Sequence, residues 1–292
     1  MRKIDSSFAA ALLAAAVLAA RAPAQSVPWH LVEGSENLRG IHKEVVVEVL
    51  STVPAYGGCE QTILRCLVEN PENKIARRLA NFVVRRVRAG NDVEDIAKEI
   101  EDRKLSAFPP EIREPDLGGL TCSGNAGAPV QVVIYADFGC PYCHVSTQTL
   151  RKLSREHPDQ IAFYFKNFPL KSNPEAVPAA LALLAAGRQG KFWEMNDLLF
   201  AKEENLCDDT YTTCAATLGL DVERFKGDMK NPELLARLRE EKMEAIRYGV
   251  ESTPGILVNG KFYRGVKTSD ELIDRIEEEK DLLAAPTSSS KG

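Results

Sequence analysis

The sequence lacks an excess of positive charge. Its 292 residues include 37 Lys and Arg against 42 Asp and Glu, which gives a formal net charge of −5. Because nucleic acids are bound mainly through clustered Lys and Arg side chains, this balance argues against a nucleic-acid partner. The remaining composition, 44% hydrophobic and 27% charged, is that of a globular protein, and the length predicts one large or two ordinary domains.

Hydrophobic runs long enough to cross a bilayer are absent after the first two dozen residues. Residues 1–24 are typical of a secretory signal peptide: Arg2 and Lys3 give a basic start, residues 8–20 a short apolar run, and residues 22–24 an A-x-A cleavage site. No cysteine adjoins this site, so a lipid anchor is not expected. We therefore expect a periplasmic or otherwise extracytoplasmic protein that is soluble after signal cleavage, with an uncleaved N-terminal anchor as the alternative.

One motif, C-P-Y-C-H at residues 140–144, organises the rest of the chain. It follows an apolar run at residues 130–138, which predicts a buried strand, and it precedes apolar residues at helical spacing. A strand that runs into C-x-x-C at a helix start is the layout of a dithiol redox site. Cys140 would lie at the helix N-terminus, where free N–H groups and the helix dipole stabilise a thiolate. Cys143, one turn later, could then resolve a mixed disulfide.

The same residues also match C-x-x-C-H, the attachment signature of c-type haem, with His144 as an iron ligand. Haem iron often takes a second axial ligand, and the sequence does not single one out. Two downstream features bear on the choice between redox and haem chemistry. Thr253 and Pro254 lead into a short apolar run, and Asn259-Gly260 follows that run as a hairpin signal.

With these motifs, residues 127–283 resemble the DsbA-like thiol:disulfide oxidoreductases, whose thioredoxin fold carries a helical insertion. The runs K-N-F-P-L at residues 166–170 and G-K-F-W-E-M at residues 190–195 are part of the resemblance. In that family the two cysteines face a Thr-Pro or Val-Pro pair whose proline is cis. The resemblance therefore implies that Pro254 is cis and that Thr253 presents its backbone to the strand that carries a substrate cysteine.

The resemblance implies an enzyme that forms or isomerises disulfide bonds in cysteine-containing extracytoplasmic proteins. Cys140 would form the mixed disulfide with the substrate, and Cys143 would resolve it. The substrate-binding edge would be formed by Pro141, Tyr142, Thr253 and Pro254. No metal or organic cofactor is needed, but turnover requires a redox partner that recycles the dithiol. A reductase for cytochrome c maturation, a c-type haem protein and a peptide-binding chaperone stay open as alternatives.

Groups that tune the two thiols are less directly marked. Many members of the family place an acid six residues before the first cysteine, and here that position is Ile134. Asp137 would be either a turn residue at the end of the strand or a substitute base. Lys166 would be either an electrostatic partner of the site or a surface lysine. His144 follows the second cysteine and by helix geometry points away from Cys140.

Periodicity and turn signals predict an α/β fold class, and the resemblance implies a thioredoxin-like fold with an inserted helical subdomain. Strands are predicted at residues 130–137, 161–167, 255–258 and 261–264, and flanking helices at 140–156 and 269–283. The insertion would consist of helical segments at residues 174–186, 192–199, 208–218 and 232–248. In domain terms we expect a small all-α N-terminal module at 25–104, a Pro- and Gly-rich linker at 105–128, the DsbA-like domain at 129–284 and a disordered tail at 285–292.

The N-terminal module has a mixed pattern. Residues 44–50 are β-like, whereas the following segments have the spacing of amphipathic helices. Residues 57–104 resemble the small helical domain of CcmH-type cytochrome c maturation proteins, although Cys59 and Cys66 are spaced more widely than the C-x-x-C of those proteins. An isomerase would favour a homodimer, and this module could supply the contact between subunits.

The other cysteines predict local disulfides. Cys59 and Cys66 are seven residues apart, as are Cys207 and Cys214. Seven residues of unbroken helix rise about 10.5 Å, which exceeds the limit of about 7 Å between the Cα atoms of a disulfide. Each pair therefore requires a bend between its members, and we predict that both form. Cys122 is then left over, either free or paired with Cys59 or Cys66.

Overall fold

The computed structural model describes residues 26–284. The predicted signal peptide at residues 1–24 and the predicted tail at 285–292 lie outside those residues. The chain divides into two compact units, with the division between Val93 and Glu94. No helix within the described residues is long and apolar enough to cross a membrane.

The N-terminal unit is built from helices. They are α1 (Ile41–Thr52), α2 (Ile63–Glu69) and α3 (Lys74–Arg88), preceded by a short 3-10 turn at Trp29–Leu31. The side-chain oxygens of Thr62 and Asn73 accept hydrogen bonds from backbone N–H groups in the first turns of α2 and α3. These contacts satisfy donors that a helix start leaves free. The predicted all-α character of this part of the chain is confirmed.

The β-like interpretation of residues 44–50 is wrong, because they lie in α1. Val46, Val49 and Leu50 are buried and fall on one helical face at i, i+3 and i+4 spacing. This face belongs to the N-terminal unit, in which α1 contacts α3. Valine prefers strands only weakly, so the burial of this apolar stripe outweighs the local propensity.

The C-terminal unit has an α/β architecture. Its elements in chain order are α4 (Val93–Ala107, of which all but the first residue lies in this unit), β1 (Val130–Ala136), α5 (Pro141–Glu156), β2 (Ile161–Asn167), α6 (Ala176–Gly187), α7 (Phe192–Ala201), α8 (Asp208–Thr217), α9 (Val222–Met229), α10 (Pro232–Arg247), β3 (Gly255–Val258), β4 (Lys261–Phe262) and α11 (Ser269–Ala284). A 3-10 turn at Glu203–Asn205 lies between α7 and α8. The predicted insertion helices correspond to α6, α7, α8 and α10. The sequence pattern does not predict α9, in which Phe225 is the buried residue.

The strands of the described residues form one sheet in the order β2-β1-β3-β4. β1 and β2 run parallel, with Val130 opposite Ile161, whereas β3 is antiparallel to β1, with Ile134 opposite Ile256. One face of β1 packs into an apolar core shared with α5, α6 and α11. The other face, through Val133 and Tyr135, packs into a smaller core that includes α10. These three layers, with α6–α10 inserted between β2 and β3, confirm the predicted thioredoxin-like fold.

The Pro- and Gly-rich segment at residues 108–129 runs along the C-terminal unit. The backbone N–H of Arg113 donates to the carbonyl of Gly260 at 2.8 Å. Ser123 and Phe163 exchange backbone hydrogen bonds of 2.9 and 2.8 Å, which adds a short bridge beside β2. In the structure this unit therefore starts at Glu94 and includes most of α4 and the segment predicted as a linker, rather than starting at residue 129.

Of the two disulfides predicted among the cysteines outside the central motif, the structure contains one. Cys59 and Cys66 form a disulfide with their Cα atoms 6.1 Å apart, since α2 begins only at Ile63 and the chain bends between them. Cys207 and Cys214 are free thiols, so their predicted disulfide is not formed. Cys207 is the N-cap of α8 and the residues from there to Cys214 are helical, which leaves no bend to shorten the helical rise. Cys122 is also free.

Gly260 lies in the β3–β4 turn with a φ of +74°. A Cβ atom at this position would lie 2.1 Å from the carbonyl oxygen of Arg113. We expect Gly260→Ala to lower the free energy of unfolding by roughly 2–4 kcal/mol, because both the left-handed backbone and the backbone contact oppose a side chain. Urea denaturation measures this change. Gly219→Ala is the control.

Gly219 has a similar φ of +70°, but no atom of the described residues lies within 4 Å of its Cβ position. Its replacement by alanine should therefore cost only the backbone penalty of about 1 kcal/mol. If Gly260→Ala and Gly219→Ala lower the free energy of unfolding by the same amount, the close contact between Gly260 and Arg113 does not add to the cost of a side chain at residue 260.

Candidate active site

β1 and α5 place the central motif at one end of the sheet. β1 ends at Ala136, and α5 begins at Pro141, so Cys140 occupies the N-cap position. Pro141 at the first helical position has no N–H group to leave unpaired, and its fixed φ suits a helix start. The backbone carbonyl of Cys140 accepts hydrogen bonds from the N–H groups of Cys143 and His144, at 2.9 and 3.2 Å. The Cys140 sulfur therefore lies at the positive end of a 16-residue helix.

Asp137 organises the turn between β1 and α5. It is buried, and its carboxylate accepts hydrogen bonds from the backbone N–H groups of Gly139 at 2.8 Å and Leu170 at 2.6 Å. The side-chain amide of Asn173 donates to the same carboxylate at 2.6 Å. Of the two predicted roles, these contacts support the turn residue and not a free base. Ile134, at the position where many members of the family have an acid, is fully buried in the apolar core.

The two thiols of the motif differ in exposure. Both are free, with Cys140 at 8% exposure and Cys143 at 0%. The Cys140 thiol donates to the carbonyl oxygen of Thr253 at 3.5 Å. An incoming sulfur atom can therefore reach Cys140, whereas Cys143 is reached only through Cys140 or after a local movement.

The two thiols also differ in acidity, in opposite directions. A hydrogen bond from the Cys143 thiol is the main cause that lowers the pKa of Cys140 from 9.0 to about 6, although burial opposes the change. Hydrogen bonds from the Thr253 side chain and from backbone N–H groups at the start of α5 add to the effect. Burial, followed by the hydrogen bond with Cys140 and the charge of Cys140, raises the pKa of Cys143 far above 9.0. At neutral pH Cys140 is therefore a thiolate and Cys143 a thiol.

The Thr253-Pro254 peptide bond is cis, as the resemblance predicts. Pro254 is followed by Gly255, which pairs with Tyr135 on β1, so the end of β1 and the cis-proline turn are neighbours. A groove of about 600 Å³ lies along this turn, lined by Thr253, Pro254, Tyr142 and the loop at residues 265–269. Tyr142 is 67% exposed, and its ring forms part of the wall. The structure thus brings Tyr142, Thr253 and Pro254 together beside Cys140, while Pro141 is exposed at the helix start.

Lys267 lies in the same groove and is not marked by any motif in the sequence. It is half-buried in the loop between β4 and α11. Burial lowers the pKa of its ammonium group, and the neighbouring Cys143 and Cys140 oppose that change. The ammonium is therefore within electrostatic range of both thiols. Only the path of the loop that returns from the β3–β4 hairpin brings it there, which is why sequence patterns do not reveal it.

His144 is held away from the groove. Its ring stacks on Phe200 of α7, with the centroids 5.3 Å apart, and its Nδ1 lies 3.2 Å from a carboxylate oxygen of Glu203. Covalent haem attachment needs both sulfurs to reach the porphyrin edge and the histidine to face the iron. Cys143 is fully buried beneath Cys140, and His144 is packed against a different helix. The residues of the motif therefore do not fit a haem group.

Lys166 is not a surface lysine, because it is 3% exposed. Its ammonium group pairs with Glu244 on α10, and the Tyr135 hydroxyl donates to the same carboxylate oxygen at 2.6 Å. This cluster lies on the face of the sheet that carries Tyr135, and its charges compensate one another. Within residues 26–284 no group of three or more His, Cys, Asp or Glu side chains is arranged to hold a metal ion.

Comparison with curated proteins finds matches to one part of much longer chains. The protein is 32% identical over 157 residues to the Na(+)/H(+) antiporter NhaA 1 of Mycolicibacterium gilvum (strain PYR-GCK), which covers 53% of this chain and 25% of the antiporter. It is 36% identical over 143 residues to the Na(+)/H(+) antiporter NhaA 3 of Salinispora tropica, covering 49% of this chain and 22% of that protein. The chain thus spans about a quarter of the length of the curated relatives it matches.

Solved structures match over most of their own length. BdbD from Bacillus subtilis, in its oxidised form, aligns with a TM-score of 0.51 at 23% identity and covers 58% of this chain and 97% of that chain. A thioredoxin-like oxidoreductase from Silicibacter pomeroyi DSS-3 aligns with a TM-score of 0.49 at 24% identity, covering 61% and 98%. The first of these supports the fold described above.

A sequence model of the family described as Thioredoxin matches residues 118–278, which is more than half of the chain. The matched range contains the C-P-Y-C-H motif, the cis-proline turn and the strands β1 to β4. On this match, the protein belongs to the thioredoxin family.

Proposed function

We propose that this protein is an exported thiol:disulfide oxidoreductase that forms or isomerises disulfide bonds in proteins outside the cytoplasm. The observation that carries the proposal is the asymmetry of the two thiols. Cys140 is reachable and has its pKa lowered to about 6, whereas Cys143 is buried and has its pKa raised. A nucleophile that is ionised at neutral pH, next to a protected second thiol, is the arrangement that thiol–disulfide exchange requires.

Disulfide formation proceeds in two exchange steps. A substrate thiolate attacks the Cys140 sulfur of the oxidised pair, forms the mixed disulfide and displaces Cys143, which takes up a proton. A second substrate thiolate then attacks the substrate sulfur of the mixed disulfide and displaces Cys140. The two substrate thiols lose two electrons and two protons. The Cys140–Cys143 pair gains both electrons, Cys143 takes up one proton, and the other proton goes to the solvent because Cys140 leaves as a thiolate. A redox partner must then accept those electrons to restore the disulfide.

The lowered pKa of Cys140 favours disulfide formation over reduction. A thiol with a low pKa is a good leaving group, and its stability as a thiolate makes the corresponding disulfide a stronger oxidant. A pKa of about 6 lies between those of a reducing thioredoxin and a strongly oxidising DsbA, at about 7 and 3.5. The equilibrium of the pair with glutathione decides the direction, since a potential of about −200 mV or lower would favour an isomerase or a reductase, such as one for cytochrome c maturation.

The cis-proline turn supplies the place for the substrate chain. Thr253 has its carbonyl oxygen beside the Cys140 sulfur, and the adjacent groove is open to solvent. An extended substrate segment would hydrogen-bond to the backbone of Thr253 and pack on Tyr142 and Pro254, as in strand addition.

The basic and apolar start of the sequence supports export. The match to antiporters covers too little of their length for ion transport to be proposed.

Mixed-disulfide trapping tests this function. We expect Cys143→Ala to accumulate a stable adduct with a disulfide-containing peptide at pH 8.5, because Cys140 attacks and no second thiol resolves the product. Cys140→Ala should form no adduct, since the remaining thiol is buried and protonated. Both variants should carry Cys207→Ser, because that exposed thiol has its pKa lowered by a hydrogen bond with Thr210 and would react as well. Mass spectrometry of the intact chain measures the adduct.

The two variants have the same number of cysteines, so their comparison is matched. Equal adduct formation by both would show that the asymmetry of the thiols does not govern reactivity. Absence of an adduct on Cys143→Ala, with the fold intact by circular dichroism, would remove thiol exchange as the function.

A further inference from the structure

The groove beside the dithiol carries a charge that thiol exchange does not use. Lys267 is the charged residue among those that line it, all of which lie in the described part of the chain. The neighbouring walls are formed by uncharged side chains, including Tyr142, Val145 and Pro254. An ammonium group on an otherwise apolar wall loses part of its hydration, and that loss must be compensated for the charge to be stable there.

No carboxylate of the described residues compensates Lys267. Elsewhere in this unit, the buried Lys166 contacts Glu244, and the partly buried Lys261 contacts Glu279 at 2.8 Å. Lys267 has no ion-pair partner among residues 26–284. A carboxylate brought in by a bound chain would therefore recover electrostatic energy that the free protein does not have.

We propose that Lys267 makes this groove select cysteine-containing segments that carry an Asp or Glu two positions from the reacting cysteine. The inference rests on the proposed thiol-exchange function and adds a substrate class to it. The reacting sulfur is fixed at Cys140, the chain is fixed along Thr253 and Pro254, and Lys267 contacts the carboxylate. Segments with a neutral or basic residue at that place would leave the ammonium unpaired or repel it.

Strand geometry sets the spacing. Successive side chains of an extended segment point to opposite sides, and each residue advances the chain by about 3.3 Å. A side chain two positions from the cysteine therefore lies on the same side as its sulfur and about 6.6 Å away. Lys267 lines the same groove as Thr253, whose carbonyl oxygen lies 3.5 Å from the Cys140 sulfur, so its flexible stem can reach a carboxylate at that distance.

Matched peptides test the selection. Each carries a single cysteine, joined in a disulfide to 2-nitro-5-thiobenzoate, and Asp, Asn or Lys two positions from it. The thiolate of Cys140 attacks the peptide sulfur, the new disulfide joins the peptide to the protein, and the thionitrobenzoate anion leaves and is followed by its absorbance. The protein is the full chain with Cys143→Ala and Cys207→Ser, so that one reactive thiol is followed and the adduct is not resolved.

We expect the Asp peptide to react about three- to tenfold faster than the Asn peptide, and the Lys peptide to react more slowly than either. Lys267→Met should bring the Asp-to-Asn ratio to the value of the control reaction with free cysteine. Lys267→Glu should reverse the order, so that the Lys peptide reacts fastest. Lys267→Arg should keep the preference for Asp. The preference should weaken at high salt, because screening reduces the attraction.

The ratio of rates separates recognition from changes in thiol reactivity. A substitution that only alters Cys140 changes the rates with all peptides equally and leaves the ratio unchanged. Lys152→Met, which removes an exposed charge from α5, serves as the control for net charge and should also keep the ratio. An unchanged ratio in Lys267→Met overturns the inference. No reaction with any peptide would instead overturn the proposed function.

Discussion

Replacement of Arg103 by leucine is expected to lower the free energy of unfolding by about 3–5 kcal/mol. Arg103 lies on α4 and is 3% exposed. Its guanidinium contacts Asp274 at 2.8 Å and Glu271 at 3.3 Å, both on α11, and lies 3.5 Å from Glu278 of the same helix. Removing the cation would leave these carboxylates buried beside one another. Loss of one partner of a buried ion pair costs more than the pair itself contributes, because the remaining charges keep their desolvation penalty.

The neighbouring Lys104 provides the control. It lies on the same helix, but its contact with Glu101 is 3.6 Å long and both side chains are more than half exposed. Exposed pairs of this kind contribute little to stability, so Lys104→Leu should change the free energy of unfolding by less than about 0.5 kcal/mol. Urea denaturation of both variants measures the difference. Similar small losses would show that α4 is not held to α11 through Arg103.

The expected loss of stability in Arg103→Leu bears on where the thioredoxin-like unit begins in the sequence. Sequence patterns place α4 with the N-terminal helices, because it has amphipathic spacing like theirs and is followed by the Pro- and Gly-rich segment. The structure places it against α11 through charged side chains, and the unit starts at Glu94. Periodicity identifies apolar faces, but it cannot show which buried charges meet. A long-range ion cluster of this kind is visible only once the chain is folded.

The parts of the site that sequence reasoning predicted are those with local signals. C-P-Y-C-H after an apolar strand marks the helix start, and Thr253-Pro254 before a β-hairpin carries the resemblance that implies the cis-proline turn. Both features are short, and each depends on residues close together in the chain. The second strand, Ile161–Asn167, also has the predicted bounds, because its apolar run is continuous and bordered by turn residues.

The parts that were not predicted depend on distant packing. Lys267 reaches the groove because a loop returns past the dithiol. The residues next to it in the sequence form no motif that indicates a binding residue. The pairing of Cys207 with Cys214 was wrong for a local reason, since the cap at Cys207 starts the helix at once instead of bending it. The role of Asp137 could be assigned only after the hydrogen-bond partners of its carboxylate were known. An aspartate that holds a turn and an aspartate that acts as a base look the same in the sequence.

The pH dependence of alkylation should distinguish Cys140 from an ordinary thiol. With a pKa of about 6, the thiolate fraction of Cys140 rises only about tenfold between pH 5 and pH 8. A thiol with the reference pKa of 9.0 rises nearly a thousandfold over the same range. We expect the rate with iodoacetamide to reach half its maximum near pH 6 and to level off above pH 7. The same residue in urea should react with the steeper profile.

Comparing the shapes of the two profiles removes the effect of limited access, because burial scales the rate at every pH alike. Cys207→Ser is needed in the background, since that exposed thiol also has its pKa lowered. Cys143→Ala should then move the midpoint of the native profile toward 9, because the thiol of Cys143 provides the main hydrogen bond to the Cys140 thiolate. A native midpoint near 9 with Cys143 present would mean that Cys140 is not activated. A midpoint that stayed near 6 without Cys143 would shift the cause to Thr253 and the start of α5.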